Sequence, residues 1–327
     1  MRTTRIGLIG AGAVARRHAA VLSEFDDVKI TAVADPEVAR AEALAALCGA
    51  RPYSDYEDML FAEALDAAYV CVPPFAHGPP ERAVLAAGLP FLVEKPLAVD
   101  YATAAAVAEE VRLAGVPTAA GYHWRYLDTV GRAAELLASN PARLAVGYWL
   151  DKVPPPLWWR DRERSGGQTI EQATHVLDLA RVLIGEVEQV SAIGSRCVRS
   201  DYPDATVDDV SAATLLFANG AVGSVVSTCL LDAKHRAGLE LFADGLAVLL
   251  TETKLVVADR GCRRVETPRV DAKRALDRAF IDAVQGSPTT VRVDYEEALA
   301  THRLACAVAR SADERLAVAL TGGRFDG

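Results

Sequence analysis

No stretch of this sequence approaches the ~20 consecutive apolar residues that a membrane-spanning helix requires. A helical membrane protein is therefore excluded. Lysine and arginine never cluster, and the formal net charge over 327 residues is −9. A surface able to track a phosphate backbone is not expected, which removes nucleic acid as a partner. Cysteine is sparse: Cys48, Cys71, Cys197, Cys229, Cys262 and Cys306 stand singly. They lack both the close pairing of a zinc site and the density of a small secreted disulfide scaffold. No metal is expected, and the thiols read as reduced core residues of a cytoplasmic protein. Internal repeats and low-complexity segments are also missing. Arg2, Arg5 and the Ala13-Val14-Ala15 segment imitate a secretory leader, but Gly7, Gly10 and Gly12 interrupt the helical apolar core a leader needs.

What is present is ordinary globular composition, 51% hydrophobic and 24% charged, in a chain long enough for two hydrophobic cores. The first third alternates short apolar runs (5–9, 28–34, 67–72, 91–93 and 118–122) with helical stretches at 12–23, 36–47, 79–87 and 101–114. Runs such as Tyr69-Val70-Cys71-Val72 are apolar on both faces, as parallel strands covered by helices on each side must be. This rhythm predicts a doubly wound α/β sheet. After about Tyr122 the pattern changes to one amphipathic helix (169–184) followed by strand-like runs at 187–195, 207–217, 221–229, 239–243, 247–250 and 255–258. Asn219-Gly220 marks a hairpin between two of them. Helices at 272–285 and 295–309 close the chain. The expected domains are 1–122, binding a dinucleotide, and 123–327, an α+β domain with a largely antiparallel open sheet.

Four segments carry chemistry. Gly10-Ala11-Gly12-Ala13-Val14-Ala15 follows a strand and opens a helix. There the first glycine allows the tight turn, the second admits a pyrophosphate, and Ala15 permits close helix–sheet packing. Amides of Ala13 and Val14 at the helix start would hold the phosphates. Asp35 lies 20 positions beyond Ala15, where a carboxylate accepts ribose hydroxyls and repels a 2′-phosphate, favouring NAD over NADP. Arg40 works against that preference. Asp35-Pro36 is also a good helix start, with Asp as N-cap.

Pro73-Pro74-Phe75-Ala76-His77 and Glu94-Lys95-Pro96 each follow a strand, where open α/β sheets bind ligands. A cis bond before Pro96 would turn Lys95 toward the cleft; a surface Glu–Lys pair explains the same residues. In the helix opened by Gly166-Gly167, Glu171 and His175 are four apart and share a face. That pairing suits a carboxylate orienting an imidazole for proton transfer, and equally a surface ion pair.

In order and spacing these segments, together with Gly121-Tyr122-His123-Trp124-Arg125 and Trp158-Trp159-Arg160, resemble the Gfo/Idh/MocA oxidoreductases, which include glucose–fructose oxidoreductase and inositol dehydrogenase. The resemblance spans nearly the whole chain. It implies a Rossmann domain, hydride transfer between nicotinamide and a secondary alcohol of a sugar or polyol, and a homodimer or homotetramer built on the second domain's sheet. It implies that Lys95 meets the reacting oxygen, that His175 carries the hydroxyl proton, and that Glu171 orients His175 or binds substrate. Pro73, Pro74, His77, Glu94, Trp159 and Arg160 would line the cofactor. Arg125 and Trp158 suit a sugar's hydroxyls and apolar face, though both residue types serve packing as well. The family more often shows Asp-x-Gly-x-His where this chain has Glu171-Gln172-Ala173-Thr174-His175, which leaves the role of Glu171 open. Two other readings fit the same fold: a non-catalytic nicotinamide sensor, which would not need both Lys95 and His175, and an NAD-dependent glycosidase, whose Gly-Gly-His-Gly-Gly segment is missing.

Overall fold

The computed structural model describes residues 3–287 and 291–320, in two compact units. The first comprises residues 1–98, 103–123 and 272–299; the second comprises 99–102, 124–271 and 300–327.

In the first unit the strands are β1 (Thr4–Ile9), β2 (Val28–Ala34), β3 (Arg51–Tyr53), β4 (Ala67–Val70), β5 (Phe91–Val93) and β6 (Thr118–Ala120). All pair in parallel, in the order β3-β2-β1-β4-β5-β6. Helices α1 (Ala13–Leu22), α2 (Val38–Cys48), α3 (Tyr56–Ala62), α4 (Pro79–Ala86) and α5 (Tyr101–Ala114) connect them. Every residue of β4, β5 and β6 is buried, as uninterrupted apolar strands require when both faces are covered. The strand order reverses between β1 and β4, and the carboxyl ends beside that reversal form the crevice where such sheets take ligands. The sequence did not show β3 or α3. Each is short, and neither Arg51-Pro52-Tyr53 nor Tyr56–Ala62 has a long apolar period.

The chain next forms α6 (Asp128–Ala138), β7 (Leu144–Leu150), a four-residue α7 (Arg162–Ser165), one π-helical turn (Thr169–Ala173) and α8 (Thr174–Ile184). Strands β8 (Val187–Ser195), β9 (Val210–Phe217), β10 (Val222–Thr228), β11 (Arg236–Ala243), β12 (Leu246–Leu250), β13 (Leu255–Asp259) and β14 (Cys262–Glu266) follow. With the late strand β15 (Val318–Ala319) they make a nine-stranded sheet, β14-β13-β12-β11-β7-β10-β9-β8-β15. Only β7 and β10 pair in parallel. The Asn219-Gly220 hairpin joins β9 to β10, with Gly220 at φ +83°. Gly147, on β7, has no room for a side chain because Val176 of α8 would lie 2.6 Å from its Cβ. The helix therefore seats directly on the sheet.

Helix α9 (Ala272–Val284) and the start of α10 (Tyr295–Glu314) correct the expected boundary at residue 122. Leu276, Phe280 and Ile281 are buried in the first unit, Arg278 pairs with Asp27, and Ala120 donates its N–H to Val293 O. Among the described residues, no helix is long and apolar enough to cross a membrane.

Candidate active site

The turn from β1 into α1 lies at the strand-order reversal. Gly10 sits at φ +95°, and a Cβ there would come within 2.4 Å of Cys71 O beyond β4. Only glycine allows the two strand ends to approach so closely. Gly12 is different. It is the N-cap of α1, makes no side-chain cap, and a Cβ on it would meet nothing within 4 Å. The space over the first turn of α1, at the positive end of its dipole, thus fits a pyrophosphate.

Asp35, 9% exposed after β2, accepts the Ala11 N–H through Oδ2 (2.8 Å) and the Glu37 N–H through Oδ1 (2.9 Å). One carboxylate braces the glycine turn and still keeps lone pairs for a ribose hydroxyl. The expected helix start moves: α2 begins at Val38 with Glu37 as N-cap, so Asp35 caps a tight turn instead. Arg40 is drawn to Glu37 at the surface.

His77 and Glu94, both expected beside the cofactor, make buried contacts with other side chains of the first unit. Pro74 begins a short 3₁₀ turn after Pro73, but the His77 side chain is wholly buried, with Nδ1 2.5 Å from Glu81 Oε1. It fixes the start of α4, since Glu81 also accepts the Gly78 N–H. Glu94 is likewise buried. Its Oε1 accepts from Arg17 (3.0 Å) and lies 2.9 Å from His18 Nε2, while Oε2 accepts the Lys95 N–H at 3.2 Å. Gly121 must be glycine, because a Cβ there would meet the Glu94 carboxylate at 2.4 Å. Lys95 is half-buried, and its bond to Pro96 is cis.

His18 meets a second carboxylate: Nδ1 lies 2.7 Å from Asp277 Oδ1. Burial opposes a charged ring, yet the Asp277 charge and hydrogen bonds to Asp277 and Glu94 push His18 up to about 9. Burial alone would raise Glu94, but His18 and Arg17 hold it down to about 2. Burial raises Asp277 despite the pull of His18. Sequence reasoning missed this cluster because Asp277 lies more than 250 residues from His18.

In the second unit Gly166 and Gly167 take φ +73° and +80° before the π-helical turn. A Cβ on Gly166 would strike Ile170 at 2.9 Å. His175 follows in the first turn of α8, 5% exposed. Its ring lies near-parallel to Trp124 (centroids 5.6 Å, 17°) and Trp149 (5.9 Å, 22°). Lys234 Nζ sits 4.4 Å above the Trp149 ring. This aromatic seat holds the imidazole in one orientation. Trp149 was missed because β7 has no alternating pattern to announce it, and Lys234 because it lies in the loop before β11.

Other expected contacts in this unit change. Trp159, expected beside the cofactor, is fully buried and donates its indole N–H to Glu171 Oε2 (2.8 Å), so it supports Glu171. Trp158, half-buried, packs on the Trp159–Val207–Cys229 cluster, and the Arg160 guanidinium lies 5.3 Å over Tyr202. Arg125, expected at a sugar's hydroxyls, forms a buried two-pronged ion pair with Asp178 (2.7 and 2.8 Å). Asp178 also accepts from Thr301.

Comparison with known proteins gives these features a family. Residues 4–122 match the GFO_IDH_MocA family, an oxidoreductase family with an NAD-binding Rossmann fold, and residues 142–247 match the GFO/IDH/MocA C-terminal domain. D-xylose 1-dehydrogenase (NADP(+)) 2 of Haloferax volcanii is 27% identical, covering 96% of this chain and 99% of its own. Myo-inositol 2-dehydrogenase of Thermotoga maritima is 30% identical over 68% of this chain and 67% of its own. Levoglucosan dehydrogenase, solved with NADH and levoglucosan, shares the fold at a TM-score of 0.88 and 21% identity, covering 98% of this chain and all of that one. With a glycine turn at the strand reversal and matches to both domains over more than half its length, the chain belongs to the GFO/IDH/MocA oxidoreductase family, its first unit being that family's NAD-binding Rossmann domain.

Proposed function

We propose that this protein is an NAD(P)-dependent dehydrogenase or reductase acting on a secondary alcohol or ketone of a sugar or polyol. The carrying observation is the first unit's crevice, where the Gly12 turn, with room above its amides, lies at the reversal of strand order and Lys95 follows β5. When bound, nicotinamide accepts hydride from the carbinol carbon in oxidation and returns it in reduction. Ala13 and Val14 offer amides to the pyrophosphate, Asp35 meets the adenine ribose, and Pro73 and Pro74 shape the loop beside them. Asp35 favours NAD, since its carboxylate repels a 2′-phosphate.

Lys95 hydrogen-bonds the reacting oxygen and stabilises negative charge on it. His175 takes the hydroxyl proton in oxidation and gives it back in reduction. Glu171, held by Trp159, binds a neighbouring substrate hydroxyl or steadies that proton transfer. The six cysteines, all free thiols, suit a reducing, cytoplasmic compartment. The named relatives act on xylose and myo-inositol, which supports the sugar or polyol class.

The test follows nicotinamide absorbance with D-xylose, myo-inositol, levoglucosan and related compounds, using NAD and NADP in parallel. Wild type should turn over at least one compound, faster with NAD. Lys95→Met should lower kcat by about a hundredfold or more while still binding NADH. NADH binding without turnover of any compound, in either direction, would overturn the dehydrogenase reading in favour of a nicotinamide sensor. Retained cofactor with cleavage of a glycoside, and no net absorbance change on free sugars, would indicate a glycosidase.

A further inference from the structure

The His18 cluster has no part in the roles assigned so far, yet it brings four ionisable groups, Arg17, His18, Glu94 and Asp277, together at one site. A neutral imidazole carries one N–H and can donate to one carboxylate only. His18 faces carboxylates at both nitrogens, Glu94 at 2.9 Å and Asp277 at 2.7 Å, with 1% of the residue exposed. A doubly protonated ring satisfies both, and with Arg17 it balances the two negative charges. The other titratable or charged groups facing the cluster are Tyr69 on β4, Cys71 just beyond it, Lys95 after β5, and Arg278 on α9. The Tyr69 ring packs on His18 at 5.2 Å.

The connections have a direction. Asp277 on α9 holds His18; His18 and Arg17, on the helix that the glycine turn opens, hold Glu94 Oε1; Glu94 Oε2 receives the peptide N–H of Lys95. We propose that His18 is a positioning residue, an imidazolium strut between Asp277 and Glu94 that fixes the Lys95 peptide, and with it the Lys95 ammonium, for turnover. This rests on Lys95 being the residue that meets the substrate oxygen. A purely structural ion cluster would stabilise the fold without controlling the chemical step. A strut does control it, because a displacement of the reacting groups by about an ångström costs about a hundredfold in rate.

The strut titrates in a stated direction. The folded-state value of His18 is raised, so the charged ring persists through neutral pH and is lost as pH rises through about 9. Replacing Asp277 by Asn removes the charge that does most to raise it. The experiment uses the full chain with the sugar or polyol that wild type turns over. Asp277→Asn should move the alkaline limb of the kcat profile down by about one pH unit or more. At that limb NADH affinity, read by nicotinamide fluorescence, should stay within about threefold. His18→Gln should lower kcat about tenfold or more at neutral pH and abolish the portion of the limb that Asp277→Asn shifts. In wild type, the ¹⁵N spectrum of the histidine rings, assigned by the signal His18→Gln removes, should show two protonated nitrogens at pH 7.

An unmoved limb in Asp277→Asn, or a His18→Gln variant that folds with unchanged kcat, overturns the proposal. So does a single protonated nitrogen in the ring spectrum, which is readable even if Asp277→Asn fails to fold. Failure of every compound to react strikes the dehydrogenase reading and, with it, the catalytic half of the proposal. The ring spectrum still decides separately whether the strut exists.

Discussion

Arg125 and Glu171 show how a single side chain changes meaning once its partner is known. Both are types a sugar site would use, and the sequence offered both as substrate contacts. In the fold, Arg125 gives its fork to Asp178, with less than a tenth of either side chain exposed. Breaking one side of such a pair leaves an unpaired buried charge, which costs about 3–5 kcal/mol. Asp178→Ala should therefore lower urea-unfolding stability by that order. Arg125→Lys, which loses the two-pronged geometry, should lower the melting temperature while leaving KM for substrate within about twofold. A large KM rise with unchanged stability would return Arg125 to the substrate. Glu171 shared a helical face with His175 in the sequence, yet the acceptor it offers at 2.8 Å goes to Trp159. No single-residue pattern could show this, because the Trp159 indole reaches Glu171 through a loop whose path depends on Val207 and Cys229 packing behind it.

At the scale of elements, the two glycines of the β1–α1 turn serve different ends, and substitution separates them. Gly10→Ala puts a methyl against Cys71 O in a left-handed backbone, so it should destabilise the fold markedly. Gly12→Ala meets no atom of the chain at φ −72° and should fold normally. Its methyl would fill the space over the α1 amides, so NADH binding, measured by fluorescence quenching, should weaken about tenfold or more. Equal NADH affinity in Gly12→Ala and wild type would show that the phosphates bind elsewhere. This turn was legible because its chemistry is local: strand, glycines and helix lie within 20 residues. So were β2, β5 and α5, whose bounds in the fold are those the apolar pattern gave. What was not legible is non-local. The α9 segment packs in the first unit through Leu276, Phe280 and Asp277, although an amphipathic helix fits either core by pattern. The π-helical turn before His175 likewise depends on Gly166 packing on Ile170, which spacing alone does not reveal.

For the whole molecule, the second unit's sheet poses the remaining question. One face carries Ala213, Leu215 and Phe217 of β9 with Val225 of β10, all buried. The other presents Ile193, Leu216, Val222 and Leu144 to solvent on adjacent strands, at 66%, 38%, 49% and 42% exposure. Alternation in β9 and β10 made the two faces readable in the sequence, since a period of two puts successive residues on opposite sides. Scattered apolar side chains are normal on a monomer; Leu216, Val222 and Leu144 instead stand in register across three neighbouring strands, a row that suits an interface. Self-association through this face is therefore our expectation, in line with the homodimer or homotetramer that the family resemblance implies. Light scattering should give a mass two or four times 34.8 kDa. Leu216 and Val222 pair directly across β9 and β10, so two copies meeting here would place both near the contact centre. Glutamate at both positions buries unpaired charge in the assembled state but costs little in a solvated monomer. The double variant should elute as a 34.8 kDa monomer that keeps its NADH affinity, because both residues belong to the second unit's sheet and the glycine turn belongs to the first unit. A wild type that is already monomeric at micromolar concentration, or a double variant with unchanged mass, would mean that this face meets solvent and that any assembly uses another surface.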